Sequence, residues 1–275
     1  MTHRFTGLLA AASASALLLG ANSATALDVA WVHSNAAAQS EQRVEDGFKQ
    51  WLSETGKSDW NVSFLDSGGS GEATASNIQD AANRGVGAII ITMSDLRASR
   101  AAIDAAHAAN IPVFAVDSGY VDGVVVDITT NNWAMSADVS TYLLDQMGGE
   151  GNLIFFRMAE HHGTRKRGDT MAAILKEYSG VKVLAEHNID YTAFFEDTSK
   201  SMEDYAARFG SEINAVWAPW DEPAQAAINA IQAAGLTGVK VVGIDGHPQA
   251  IAEVCKPDSM MIATVTQPFE KIDVQ

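Results

Sequence analysis

The chain has 275 residues, 47% hydrophobic and 19% charged, a globular balance with room for one large domain or two of medium size. Its formal charge of −16 argues against the clustered Lys and Arg that phosphate binding needs, so neither nucleic acid nor an anionic lipid surface is an expected partner. The single cysteine, Cys255, rules out an internal disulfide and is expected to be a small, partly buried apolar residue, not a nucleophile.

The N-terminus reads as an address. His3 and Arg4 give a positive start, residues 7–20 are uncharged Leu, Ala and Ser with Gly, and Ala24-Thr25-Ala26 fits a small-x-small cleavage site. A cleavable signal peptide over 1–26 is expected, with a mature chain from Leu27 and export as the consequence. The apolar run is short for a membrane span. No cysteine lies at the cleavage site, so no lipid anchor is expected.

From Leu27 onward, short apolar runs alternate with helical patterns. The predicted strands of the first half cover 29–33, 62–66, 88–92, 113–117 and 124–128, and those of the second half 153–157, 181–187, 215–218, 239–244 and 261–266. Most are near-continuous Val, Ile, Leu, Phe and Ala, the pattern of parallel strands buried on both faces. Between them, Val44, Phe48, Trp51 and Leu52 share one helical face. Ile103 and Ala106 precede Ile111-Pro112, where Pro112 blocks helix continuation. Ile174, Leu175 and Tyr178 form a stripe before Ser179-Gly180, and Ala226, Ile228, Ile231 and Ala234 another before Gly235. The expected fold is α/β, two doubly wound parallel-sheet lobes joined by a hinge. The polar stretch 127–133 interrupts the apolar pattern without Pro or Gly-Ser richness and is read as the hinge crossing.

Ligands of open parallel sheets sit beyond the carboxyl ends of the strands. Ser34-Asn35, Asp66, Ser94-Asp95 and Asp117 come after strands of the first half. His161, Arg167, Asn188, Asp190, Tyr191, Trp220-Asp221, Asp245 and Gln267 come after those of the second. Two sheets facing by these edges enclose a cleft of carboxylates, amides, one Arg and aromatic rings, which suits a polyhydroxylated ligand. Asp66 and Asp95 are equally readable as helix caps. Trp31 is expected in the core, and of Trp217 and Trp220 the second is the better site residue. His161-His162 are adjacent, without a third metal ligand at useful spacing, and are expected to be structural or on the surface. No metal or cofactor is expected. HExxH, GxSxG and Walker motifs are missing from the sequence, so an enzyme is not the leading reading, although Asp117 and Asp245 could form a glycosidase pair. A basic helix-turn-helix is not found before the first strand; the signal peptide occupies that place.

Four segments in this order, Ile111-Pro112-Val113-Phe114-Ala115-Val116-Asp117, Gly163-Thr164-Arg165-Lys166-Arg167-Gly168, Val242-Gly243-Ile244-Asp245-Gly246 and Ala263-Thr264-Val265-Thr266-Gln267, resemble the type I periplasmic sugar-binding proteins, the ribose- and galactose-binding group related to the lac repressor core. The resemblance implies that Asp117, Arg167, Asp245 and Gln267 bond sugar hydroxyls and that Tyr191 packs on the sugar. Trp220 takes a position often held by Asn, so Asp221 is expected to point outward. Asn35 and Asn131 complete the expected ligand set. Ser118 stands where ribose binders often carry Arg, which argues against ribose itself. The resemblance further implies a soluble periplasmic protein that delivers a small sugar or polyol to an ABC transporter permease, or signals through a chemoreceptor; a monomer is the expected state where the function is lobe closure. The N-terminal lobe is expected over 27–130 plus 267–275 and the C-terminal lobe over 131–266. The family continues past the Gln267 crossing with a helix and a strand, whereas this sequence stops at Gln275.

Overall fold

The computed structural model describes residues 26–272. The expected signal peptide lies, Ala26 apart, outside the described residues. The first lobe runs β1 (Asp28–His33), α1 (Gln39–Glu54), β2 (Asn61–Asp66), α2 (Gly71–Arg84), β3 (Ala88–Thr92), α3 (Arg100–Ala108), β4 (Val113–Val116) and β5 (Val124–Ile128). The second runs α4 (Asn132–Gln146), β6 (Glu150–Arg157), α5 (His162–Ile174), β7 (Gly180–Asn188), α6 (Phe194–Phe209), β8 (Ala215–Trp217), α7 (Asp221–Ala233), β9 (Lys240–Asp245), α8 (Pro248–Val254) and β10 (Met261–Thr266). A short helix, α9 (Phe269–Ile272), returns to the first lobe and packs on α1. All ten expected strands form. Their order is β2-β1-β3-β4-β5 in one sheet and β10-β9-β8-β6-β7 in the other, every pair parallel. Taken in chain order, both sheets have the same doubly wound topology, whose switch point lies between the first and third strands.

Burial explains the continuous apolar runs. In β1, Val29 to His33 are all buried, because β2 and β3 flank it and helices cover both faces. One face packs Val32, Ile78, Ile89 and Ile103 with α2 and α3; the other packs Trp31 with Val44 and Phe48 of α1 and Phe269 of α9. Trp31 is thus core, as its place within a strand suggests. In the second lobe Trp217 is also core, its indole N–H donating to Ser140 Oγ at 2.9 Å.

Two expectations are corrected here. Cys255 is exposed, not partly buried, because it caps the C-terminus of the short α8 and points to solvent. Asp221 points inward, not outward: it is 2% exposed, accepts from the Thr264 hydroxyl at 2.6 Å and from His247 N–H at 2.8 Å. The room for that carboxylate comes from Gly243, where an added Cβ would lie 2.4 Å from Asp221 Oδ1 and 3.0 Å from its Cα. Among the described residues, no helix is long and apolar enough to cross a membrane.

Gly243→Ala therefore overpacks the β9–α7 contact. It is expected to lower stability by about 1–3 kcal/mol, read as a lower urea midpoint at unchanged m-value.

Candidate functional site

The chain passes between the sheets at residues 129–131 and again at 267–268, and the carboxyl edges of the two sheets face each other beside these crossings. Between them sits Arg167, carried by α5 and 2% exposed. Its guanidinium donates to Asn132 Oδ1 (2.7 Å), to the Pro219 carbonyl and Asp245 Oδ1 (both 2.9 Å), and to Gln267 Oε1 (2.6 Å). Gln267 passes the network on, its amide donating to Asp117 Oδ2 at 3.2 Å. Asp117 also accepts from Asn132 Nδ2 at 3.0 Å and from the Thr129 hydroxyl. Four residues expected in the site are thus one connected network that spans both lobes.

The two carboxylates are held alike. Asp117 follows β4 with φ 47° and Asp245 ends β9 with φ 122°, left-handed conformations unusual for a residue with a side chain. Gly246 lets the second turn close: a Cβ there would sit 2.4 Å from Thr266 Cγ2. Their electrostatics differ. Burial alone would push the Asp117 carboxyl up, but the neighbouring His161 and Arg167 and the bonds from Thr129 and Gln267 overcome it and hold the group below the usual carboxylate range. Burial dominates at Asp245 and pushes it up to about 6 in spite of Arg167.

A small interlobe cavity of about 20 Å³ lies among Asp117, Arg167, Asp245, Tyr191, Trp220 and His161. The Tyr191 and Trp220 rings meet edge to face, 6.1 Å apart at 86°, and give it an aromatic wall. His161, expected to be structural or at the surface, is 7% exposed; its side chain caps α5 and also lines this cavity. Its Nδ1 accepts from Thr164 N–H (3.2 Å), which places the proton on Nε2, facing the Asp117 carbonyl at 2.9 Å. Burial pushes its pKa down, so the ring is neutral.

Other expectations are relocated. Asn131 is exposed and caps α4, accepting from Ala134 N–H at 3.0 Å; it does not face the cleft. Asn132, the next residue, is 1% exposed and takes the place between Asp117 and Arg167. The cap must turn back on its own helix, while the first helical residue points about 100° away around the axis, here inward. Asn35 sits at the lobe junction, donating to the Tyr191 carbonyl at 2.9 Å, and does not line the cavity. Asp66 accepts from Ala36 and Gly68 N–H, a turn-holding role. Asp95 pairs with Arg97 and, across the lobes, with Arg165 at 3.1 Å. Sequence reasoning passed over Asn132 and Thr129, and a polar run of four residues carries no signal of which side chains turn inward.

A second polar cluster lies behind Asp245. Asp221 is pushed up to about 8 by burial and the nearby Asp245 charge, and Glu222 to about 7 by burial; burial and the charges of Arg43 and Arg167 push His247 down to about 4. Among the described residues, no group of three or more His, Cys, Asp or Glu is arranged to hold a metal ion.

Two facing doubly wound lobes with a buried polar network at their junction define a bilobal ligand-binding architecture. Across residues 29–272 the sequence matches the family described as periplasmic binding protein domain, and the chain belongs to that family. It is similar to a xylitol-binding protein of Mycolicibacterium smegmatis, 28% identical over 186 residues that cover 67% of this chain and 53% of that protein, about half of its length. It is likewise 28% identical over 218 residues to the ribose import binding protein RbsB of Escherichia coli, covering 78% of this chain and 71% of that one. A solved ABC transporter solute-binding protein from Agrobacterium vitis with bound allitol shares the fold, with a TM-score of 0.81 at 22% identity over 90% of this chain and 86% of the other.

The two asparagines separate cleanly by mutation. Asn131→Ala is expected to remove about 1 kcal/mol of stability through the lost cap. Asn132→Ala strips a partner from both Asp117 and Arg167 and is expected to remove about 2–3 kcal/mol, each read by urea unfolding. Asp221 also makes stability depend on pH. Its folded value of about 8 lies above the unfolded 3.8, so the folded state holds the extra proton and stability falls as pH rises towards 8. Between pH 6.5 and 8, above the range where neutral His247 opposes the trend, the slope is expected to reach about 1.4 kcal/mol per pH unit. Asp221→Asn should lower the slope, leaving the smaller part that Glu222 and Asp245 contribute, which paired unfolding curves at the two pH values will read.

Proposed function

We propose that this protein is a periplasmic solute-binding protein that captures a small sugar or polyol between its lobes and presents it to an ABC transporter permease. The observation that carries the reading is the Asp117–Gln267–Arg167–Asp245 network, which reaches both lobes and faces the cavity. Carboxylates, an amide and a guanidinium supply acceptors and donors together, as vicinal hydroxyls demand, and the Tyr191–Trp220 wall covers the C–H face of a ring or chain. These groups bond one another across the crossings, so a ligand that replaces their contacts from both sides favours the closed arrangement of the lobes.

The names of the relatives support the class: xylitol, ribose and allitol are small polyhydroxylated molecules. Delivery to the periplasm through the signal peptide over 1–26, a monomeric state, and lobes over 27–130 plus 267–275 and 131–266 belong to the same proposal. Binding requires no covalent step. A glycosidase reading draws on the split between a lowered Asp117 and a raised Asp245, but the ion pair with Arg167 at 2.9 Å keeps Asp245 from serving as a free acid. Recovery of the ligand unchanged after incubation distinguishes the two.

A thermal-shift screen against pentoses, hexoses and polyols tests the proposal. A ligand at about 100 times its dissociation constant adds about 2.7 kcal/mol, which raises Tm by roughly 5–10 °C in a chain of this size. Asp117→Ala and Asp245→Ala are expected to abolish that rise. A flat response of the folded protein to every carbohydrate would overturn the reading.

A further inference from the structure

Helix α1 starts without a cap of its own. Ala38 holds the N-cap position and makes no side-chain hydrogen bond, so the first N–H groups of a 16-residue helix lack the usual local acceptor. Ala38 serves packing instead. It is 1% exposed within a cluster whose other members, Trp220 and Ala224 among them, belong to the second lobe. The open donor is then answered from that lobe: Gln39 N–H faces both carboxylate oxygens of Glu222, each at 3.3 Å. Glu222 lies in the first turn of α7 and is 9% exposed. Glu41, the acid in the first turn of α1, is committed elsewhere, accepting from Ser34 N–H at 2.8 Å and from Asn35 N–H at 3.4 Å. His247, 3.8 Å from Glu222, is neutral and does not compete for the carboxylate.

We propose that Glu222 is a cross-lobe cap, whose carboxylate completes the N-terminus of α1 only when the lobes are together and so biases the ligand-free protein towards the closed arrangement. The positive end of the α1 dipole favours an anion at this place, and burial strengthens the attraction. When the lobes part, both groups return to water and the bias is lost. The inference rests on the two-lobed arrangement and not on the class of ligand. The variants below leave unchanged the residues of other bonds between the lobes, among them Asn35 to the Tyr191 carbonyl and Arg165 to Asp95.

Small-angle X-ray scattering of the ligand-free protein tests it, at pH 8.5, where Glu222, pushed up to about 7 by burial, is ionised. Glu222→Gln is expected to lower the closed-to-open ratio about fivefold, seen as a larger radius of gyration, because a charged cap becomes a neutral one. Ala38→Ser gives α1 a hydroxyl cap within its own lobe and should shift the ratio the same way with Glu222 intact. The double variant should go no further than the larger single effect, and far-UV circular dichroism confirms that each variant is folded. Superposing curves for wild type and both single variants would overturn the proposal. So would opening by Glu222→Gln alone, since Glu222 would then act through contacts other than the helix end. No sugar is present in the measurement, so its failure leaves the binding reading untouched.

Discussion

The structure depends on one buried charge. Arg167 is 2% exposed, and a guanidinium so placed is tolerated only if its donors are met. It meets them on α4, on the loop before α7, at the end of β9 and at the Gln267 crossing, so a single side chain draws together four separate stretches of the chain. Removing it would leave Asp245 buried and unpaired. The same need for partners that makes Arg167 a structural centre underlies its proposed role as donor to a ligand that offers acceptors in their place.

The two lobes solve the same problem twice. Each places an Asp at the carboxyl end of a parallel strand, in a left-handed conformation, among the residues that line the interlobe cavity. Asp117 is flooded with donors and stays ionised easily; Asp245 shares its neighbourhood with Asp221 and Glu222, and burial raises all three. The cleft therefore has an anionic side whose charge is sensitive to neutral pH and a side whose charge is not. His161, neutral and fixed in its tautomer by Thr164, closes the gap between Asp117 and the second lobe without adding charge.

Much of this was legible in the sequence. Ten strands and their parallel arrangement are implied by continuous apolar runs, because a strand buried on both faces has no polar side to show. Asp117, Asp245 and Gln267 stand out as polar residues at or just past strand ends and Arg167 as the basic residue that follows the first strand of the second half, and all four fall within the segments that resemble the sugar-binding family. Tyr191 and Trp220 are found by the same reasoning and line the cavity. What misled was orientation. Asn131 and Asn132 are chemically identical neighbours, and only the start of α4 decides that one caps the helix while the other reaches the network. Asp221 looked like a displaced surface acid, and only the space above Gly243 shows why it turns inward.

The sequence by itself determined the fold class and the chemistry available at the sheet edges, since both rest on local pattern: burial periodicity, strand ends, and residue type. The tertiary structure alone decided which groups face one another across the lobes. Asp117 and Gln267 lie 150 positions apart, and Gln39 meets Glu222 from 183 positions away. Such pairings depend on how two separate sheets are oriented by their crossings, and no window of sequence carries that angle.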